Sequence, residues 1–233
     1  MSSRFKSALD FLYSHPVVER LFHTTVYCLK RELRDCASVL DLGCGPSSPV
    51  RLCEVARTVG VDAFENSLRL SARRQTHSLF VQADVTHLEF SADSFDAVVM
   101  LEVLEHLNRQ DGEDLLVKAQ GWARKRVILS TPNGYLAQRA LGGNPFQIHR
   151  SGWSPASLRA KGYRAYGLAG LHLLRSQNTA DSPEEASSIL GTIRWKPKPI
   201  WLIISEITQL LAYYHPDWSF EVFYVRDRHS NWK

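Results

Sequence analysis

The chain has 233 residues, enough for one sizeable α/β domain with decorations and cramped for two. Its 44% hydrophobic and 22% charged residues are ordinary for a globular protein able to bury a core without staples. The net charge of +4 is spread along the chain in short clusters such as Arg124-Lys125-Arg126, so there is no dense basic stripe and no nucleic-acid partner is expected.

In chain order, Phe5, Leu9, Leu12 and Tyr13 share one helical face, and Val17, Leu21 and Val26 continue it past Pro16. Residues 1–35 are therefore expected to form an N-terminal helical segment. Met1–Asp10 is polar and lacks the apolar core of a secretory signal. The spacing of Cys28, Cys36, Cys44 and Cys53 fits no zinc pattern, and no metal site is expected. They read as reduced thiols of a cytoplasmic protein. Residues 38–42 form a short apolar run that stops at Gly43, the signature of a buried strand. A helix is expected over 49–58, a strand over 59–62 and a helix over 67–74. Strands over 79–84 and 95–101, a helix over 111–124 and a strand over 126–131 follow. Strands alternating with helices imply a parallel sheet covered on both faces, a doubly wound Rossmann-like α/β fold.

The last third is less regular. Ser154 and Pro155 open a helix that Gly162 ends. A strand is expected over 163–174, a polar loop or lid over 177–188 and a final strand over 218–226. Between the last two strands, about 176–216 reads as an inserted lid or partner segment of a domain spanning 36–233. Residues 200–214 are apolar but broken by Glu206 and Gln209, and fall short of the ~18 apolar residues that span a bilayer. The favoured reading packs them on the sheet. Peripheral membrane contact, or an entrance for a lipophilic acceptor, is the other.

The richest segment is Asp41-Leu42-Gly43-Cys44-Gly45-Pro46-Ser47. Glycines between a strand and a following helix let the chain turn sharply and let a ligand approach at the C-terminal edge of the sheet. A dinucleotide site would want glycine at Ser48, and the Asp41 carboxylate would repel a pyrophosphate. The same carboxylate suits a ligand that carries an ammonium and a sulfonium, which favours S-adenosylmethionine over NAD. Asp62, 21 residues on at the end of the next strand, can accept hydrogen bonds from both ribose hydroxyls. Asp84, after the third strand, can face the adenine amino group.

This turn resembles the first motif of class I S-adenosylmethionine-dependent methyltransferases. Val59-Gly60-Val61-Asp62 and Gln82-Ala83-Asp84-Val85 resemble their ribose- and adenine-binding segments. Residues 95–107, ending Glu102-Val103-Leu104-Glu105-His106-Leu107, resemble the branch with the ubiquinone-type O-methyltransferases. The family's third motif glycine is Ser47 here. The resemblance covers about 36–175 and implies seven strands with the last antiparallel. It also implies a cofactor pocket made by Asp41, Gly43, Cys44, Gly45, Asp62, Ala63, Asp84, Val85, Leu101 and Glu102.

A hydroxyl acceptor needs a base, and His106 and His149 are the candidates. His106 follows the fourth strand, and His149 lies in the loop before Trp153-Ser154-Pro155. Glu102 and Glu105 are alternatives that would orient the cofactor or a histidine. The expectation is methyl transfer to a small molecule, with oxygen as the attacked atom. A non-catalytic scaffold that binds the cofactor and an NAD-dependent oxidoreductase remain the alternatives.

Overall fold

A computed structural model describes residues 22–138, 140, 144–176 and 189–228. The predicted face of Phe5, Leu9, Leu12, Tyr13, Val17 and Leu21, and the predicted lid over 177–188, lie outside them. Helix α1 (Thr25–Leu33) leads into β1 (Ser38–Leu42), the strand that ends at the glycine turn. There follow β2 (Arg57–Asp62), α2 (Glu65–Arg73), β3 (Leu79–Gln82), β4 (Phe95–Leu101), α3 (Arg109–Trp122) and β5 (Ala123–Pro132). The last third holds α4 (Pro155–Arg159), β6 (Arg164–Leu171), α5 (Lys198–Ile207), α6 (Gln209–Tyr214) and β7 (Ser219–Asp227). The seven strands form one sheet in the order β3-β2-β1-β4-β5-β7-β6. β1 to β5 pair in parallel, and β7 runs antiparallel between β5 and β6.

Period-two alternation along the central strands supplies both cores. Val39, Val99, Ile128 and Phe223 face one side, where Leu29 and Leu33 of α1 and Tyr213 of α6 cover them. Leu40, Val98, Met100, Leu129 and Tyr224 face the other, against Leu115, Leu116 and Trp122 of α3 and Leu158 of α4. The Ser154 hydroxyl accepts from the Ser157 backbone N–H in a capping box, and Pro155 occupies the first turn of α4.

Three expectations need correction. The helix over 49–58 is only a 3-10 turn over Pro49–Leu52, because Cys53 is already extended and the chain must reach the β1 edge at Arg57. The strand over 163–174 stops at Leu171. Ala169 and Gly170 adopt positive φ there, and the register with β7 shifts between Leu168 and Leu171. Residues 200–214 do pack on the sheet, but not with their most apolar face. Leu202, Ser205, Gln209, Ala212 and Tyr213 are buried, whereas Ile200, Ile203, Ile207, Leu211 and Tyr214 are exposed. Gln209 can be buried because its amide answers the backbone of β6: Nε2 donates to Gly167 O (3.0 Å) and Oε1 accepts from Gly170 N (2.8 Å). Among the described residues no helix is long and apolar enough to cross a membrane.

Candidate active site

The turn after β1 takes the conformation its glycines allow. Gly43 and Gly45 sit at φ +66° and +56°, and a Cβ on Gly43 would stand 2.6 Å from Val103 Cγ2. Cys44 N–H donates to Val61 O of β2 (2.9 Å). Asp62, at the end of β2, then braces the turn: Oδ2 accepts from Gly45 N (2.8 Å) and Oδ1 from Phe64 N (2.8 Å).

Beside this turn, at the C-terminal ends of β1, β2 and β4, lies a cleft of about 340 Å³, within the ~300–1,000 Å³ of small-molecule sites. Gly43, Gly45, Asp62 and Ala63 line one part of it, Asp84 and Val85 a second, and Glu102, Val103 and His106 a third. Three predicted cofactor residues are not in the lining. Asp41 is buried, with Oδ2 3.0 Å from His77 Nε2. Cys44 is buried, and burial pushes its thiol up to about 12, with the charges of Asp41 and Asp62 adding to the shift. Leu101 packs against the core on the α1 side of the sheet.

The carboxyls that line the cleft differ in character. Burial raises the Asp62 carboxyl above the ordinary range against the hydrogen bonds from Phe64 and Gly45, and the Asp41 charge adds to the shift. Burial acts on Asp84 as well, but hydrogen bonds from Thr86 N (2.9 Å) and Oγ1 (2.7 Å) prevail and hold it below that range. Glu102 stands at φ +53°, a strained backbone for a residue with a Cβ, and Oε1 accepts from Ser130 Oγ (2.8 Å). Burial, then the neighbouring Glu105 charge, raises Glu102 well above the carboxylate range. Burial brings Glu105 up to about 8.

The two candidate histidines, 43 positions apart in sequence, meet in space with ring centroids 4.8 Å apart. His106 lines the cleft and His149 is buried behind it. Burial drives His106 down to about 4, with His149 adding to the effect, and lowers His149 as well. Both rings are therefore neutral at physiological pH. The segments that carry them are stitched together. Glu105 O accepts from Arg150 N (2.7 Å) and Ser151 N (3.1 Å), and Ser151 Oγ donates to Leu104 O (3.0 Å) while accepting from Trp153 Nε1 (3.0 Å). The Arg109 guanidinium lies 3.8 Å from the Trp153 ring centroid and donates to Gly152 O (2.9 Å).

Sequence reasoning singled out His149 in its loop but missed Asn144, Phe146 and Arg150 of the same loop as lining residues. It also missed Glu221 of β7, whose carboxyl is raised well above the ordinary range by burial and then by Glu102. Proximity to His149 was the one signal for the first group. Glu221 gave none, because only the antiparallel insertion of β7 brings it here.

Residues 40–130, which run from β1 through most of β5, match the family described as "Methyltransferase domain". No curated protein matches the chain. Among solved structures, a SAM-dependent methyltransferase from Archaeoglobus fulgidus superposes with a TM-score of 0.52 at 16% identity, over 91% of this chain and 98% of that one. A chain from the complex between the Haloferax volcanii Trm112 methyltransferase activator and a methyltransferase superposes with a TM-score of 0.55 at 14% identity, over 93% of this chain and 94% of its own. A Pyrococcus horikoshii protein aligns over 52% of this chain and 57% of its own, at 20% identity and a TM-score of 0.43. At these identities the Archaeoglobus and Haloferax superpositions establish the fold, and the family match establishes the domain that the fold carries. Residues 40–130 carry a methyltransferase domain, on a sheet with the Rossmann-like topology of S-adenosylmethionine-dependent methyltransferases.

Proposed function

We propose that the cleft transfers the methyl group of S-adenosylmethionine to a hydroxyl oxygen of a small molecule. The observation that carries this reading is the wall made by residues 102–107, where His106, a neutral imidazole, lines the cleft beside the Glu102 carboxyl. His106 Nδ1 lies 3.4 Å from Ile148 O, which fixes the proton on Nδ1 and leaves Nε2 as the nitrogen with a lone pair. A lone-pair acceptor suits an incoming group that donates a hydrogen, as a hydroxyl does. In-line displacement at the sulfonium needs little from the protein beyond placing the two reactants and excluding water, which supplies ~7–11 kcal/mol of the barrier. Gly43, Gly45, Asp62, Ala63, Asp84 and Val85 would hold the nucleoside, and His106, backed by His149, would receive the hydroxyl. Asp41, Cys44 and Leu101 would support the pocket from outside its lining.

A cytoplasmic location fits the free thiols of Cys28, Cys36, Cys44 and Cys53. A lipophilic acceptor met at a membrane surface is the second reading, favoured by the outward row of Ile200, Ile203, Ile207, Leu211 and Tyr214. Incubation with methyl-labelled cofactor and panels of phenols, alcohols, amines and acids tests the main reading. Label in alkali-stable methyl ethers supports it. Label only in amines or esters contradicts it, and tight cofactor binding with no labelled product favours a scaffold.

A further inference from the structure

We propose that the outward row of α5 and α6 pairs with the same row of a second copy of this chain, in an antiparallel dimer with two-fold symmetry. Ile200, Ile203, Ile207, Leu211 and Tyr214 are 47–70% exposed. Steps of three and four residues place them on one helical face. The rod beneath them is nearly unbroken. Thr208 N–H donates to Ile204 O (3.0 Å) and Ala212 N–H to Thr208 O (2.9 Å), so helical bonding runs through the joint between α5 and α6. The opposite face is already used, because Leu202, Ser205, Gln209, Ala212 and Tyr213 are buried.

The order of the row is what a second copy requires. An interface on a two-fold axis joins one patch to itself, so the patch must complement its own reversed image. Counted from Ile207, the members of the row stand at −7, −4, 0, +4 and +7. With the axis at Ile207, Ile200 of one copy faces Tyr214 of the other, Ile203 faces Leu211, and Ile207 faces its own counterpart. Every pairing is apolar. Leu210, 38% exposed on the same helix, widens the seam. Six large apolar side chains on one face approach the ~800 Å² that one partner contributes to a standard interface. A contiguous apolar patch of that order marks an interaction surface.

The charge pattern favours a protein partner over a membrane surface. Helices that lie on membranes are rich in Lys and Arg on their polar face. Residues 200–214 contain neither, and their one charged side chain, Glu206, pairs with Arg175 at 2.7 Å. Lys198, at the start of α5, is buried. The seam itself carries no charge, so two copies bring no like charges together along it. None of the row lines the cofactor cleft, so the pairing does not depend on which acceptor the cleft takes.

Sedimentation equilibrium of the full chain at micromolar concentration tests this. Wild type should sediment at twice the chain mass of 26.5 kDa. I207D sets two carboxylates face to face on the axis and should weaken the dimer at least about 100-fold. Circular dichroism and retained S-adenosylhomocysteine binding verify that the variant is folded. V117D, at a similarly exposed position on α3, should leave the dimer intact. I203E and L211K should each be monomeric, and their equimolar mixture should recover a dimer, because the antiparallel register sets the introduced acid against the introduced base. A monomeric wild type overturns the proposal, and co-sedimentation of that monomer with phospholipid vesicles would assign the row to a membrane instead. A dimer that survives I207D, or a mixture that stays monomeric, overturns it as well.

Discussion

His77 Nε2 lies 3.0 Å from Asp41 Oδ2, with both side chains buried. A chain of contacts extends from this pair, as His77 Nδ1 lies 2.9 Å from Thr76 Oγ1, which in turn meets the Ser71 hydroxyl. Asp41 is thus turned into the protein directly below the glycine turn. Replacing His77 with Ala leaves a buried carboxyl without its partner and should cost about 1–3 kcal/mol of unfolding free energy, read by urea titration. Because Asp41 lies outside the cleft lining, D41N should weaken S-adenosylhomocysteine binding less than D62A does. Equal losses in the two would mean that Asp41 contacts the ligand directly.

Gly43 makes a separate prediction. Alanine there meets two penalties, a left-handed backbone that costs ~1–2 kcal/mol for a residue with a Cβ and a 2.6 Å approach to Val103 Cγ2. G43A should lower stability and weaken cofactor binding together. V103A added to G43A should relieve the contact but not the backbone strain, so rescue should be partial. Full rescue would show that strain at Gly43 is negligible.

Cofactor affinity should depend on pH through Asp62. The carboxylate form accepts hydrogen bonds from the ribose hydroxyls, and burial raises the pKa of that carboxyl. Protonation removes the acceptor, so affinity should be full at neutral pH. It should fall as pH falls, starting above the ordinary carboxylate range. Calorimetric titration of S-adenosylhomocysteine across pH checks this. D62N should bind weakly and lose most of the pH dependence, and an unchanged profile in D62N would assign the titration to another group.

Ser151 ties the His149 loop to the wall that carries His106. S151A leaves the Leu104 carbonyl and the Trp153 indole N–H without their partner, at a cost of about 1–3 kcal/mol if both stay buried. Since Ser151 is not among the residues lining the cleft, S-adenosylhomocysteine affinity should stay within a few-fold while turnover drops. Loss of cofactor affinity in step with turnover would place the loop's role at the cofactor.

Much of this was legible in local sequence. The run into Gly43, the acids that end or follow β2 and β3, and the apolar stretch of β4 each carry their signal within a few residues. These gave the parallel half of the sheet and eight of the twenty residues that line the cleft. What escaped depended on distant partners. Nothing near Asp41 announces His77, 36 positions away, and nothing near Ser130 or Glu102 announces Glu221 on β7. The outward apolar face of α5 and α6 was misjudged because Gln209 reads as a break in an apolar run until the β6 backbone supplies its partners.

The central claim is that Asp62 and the glycine turn form the S-adenosylmethionine site, and calorimetry of S-adenosylhomocysteine with wild type and D62A tests it most directly. Wild type should bind one equivalent, and D62A, with its fold verified by circular dichroism, should lose roughly 100-fold in affinity, as expected for two hydrogen bonds to a charged acceptor. Equal affinity in the two proteins, or no binding by the folded wild type, would contradict the account.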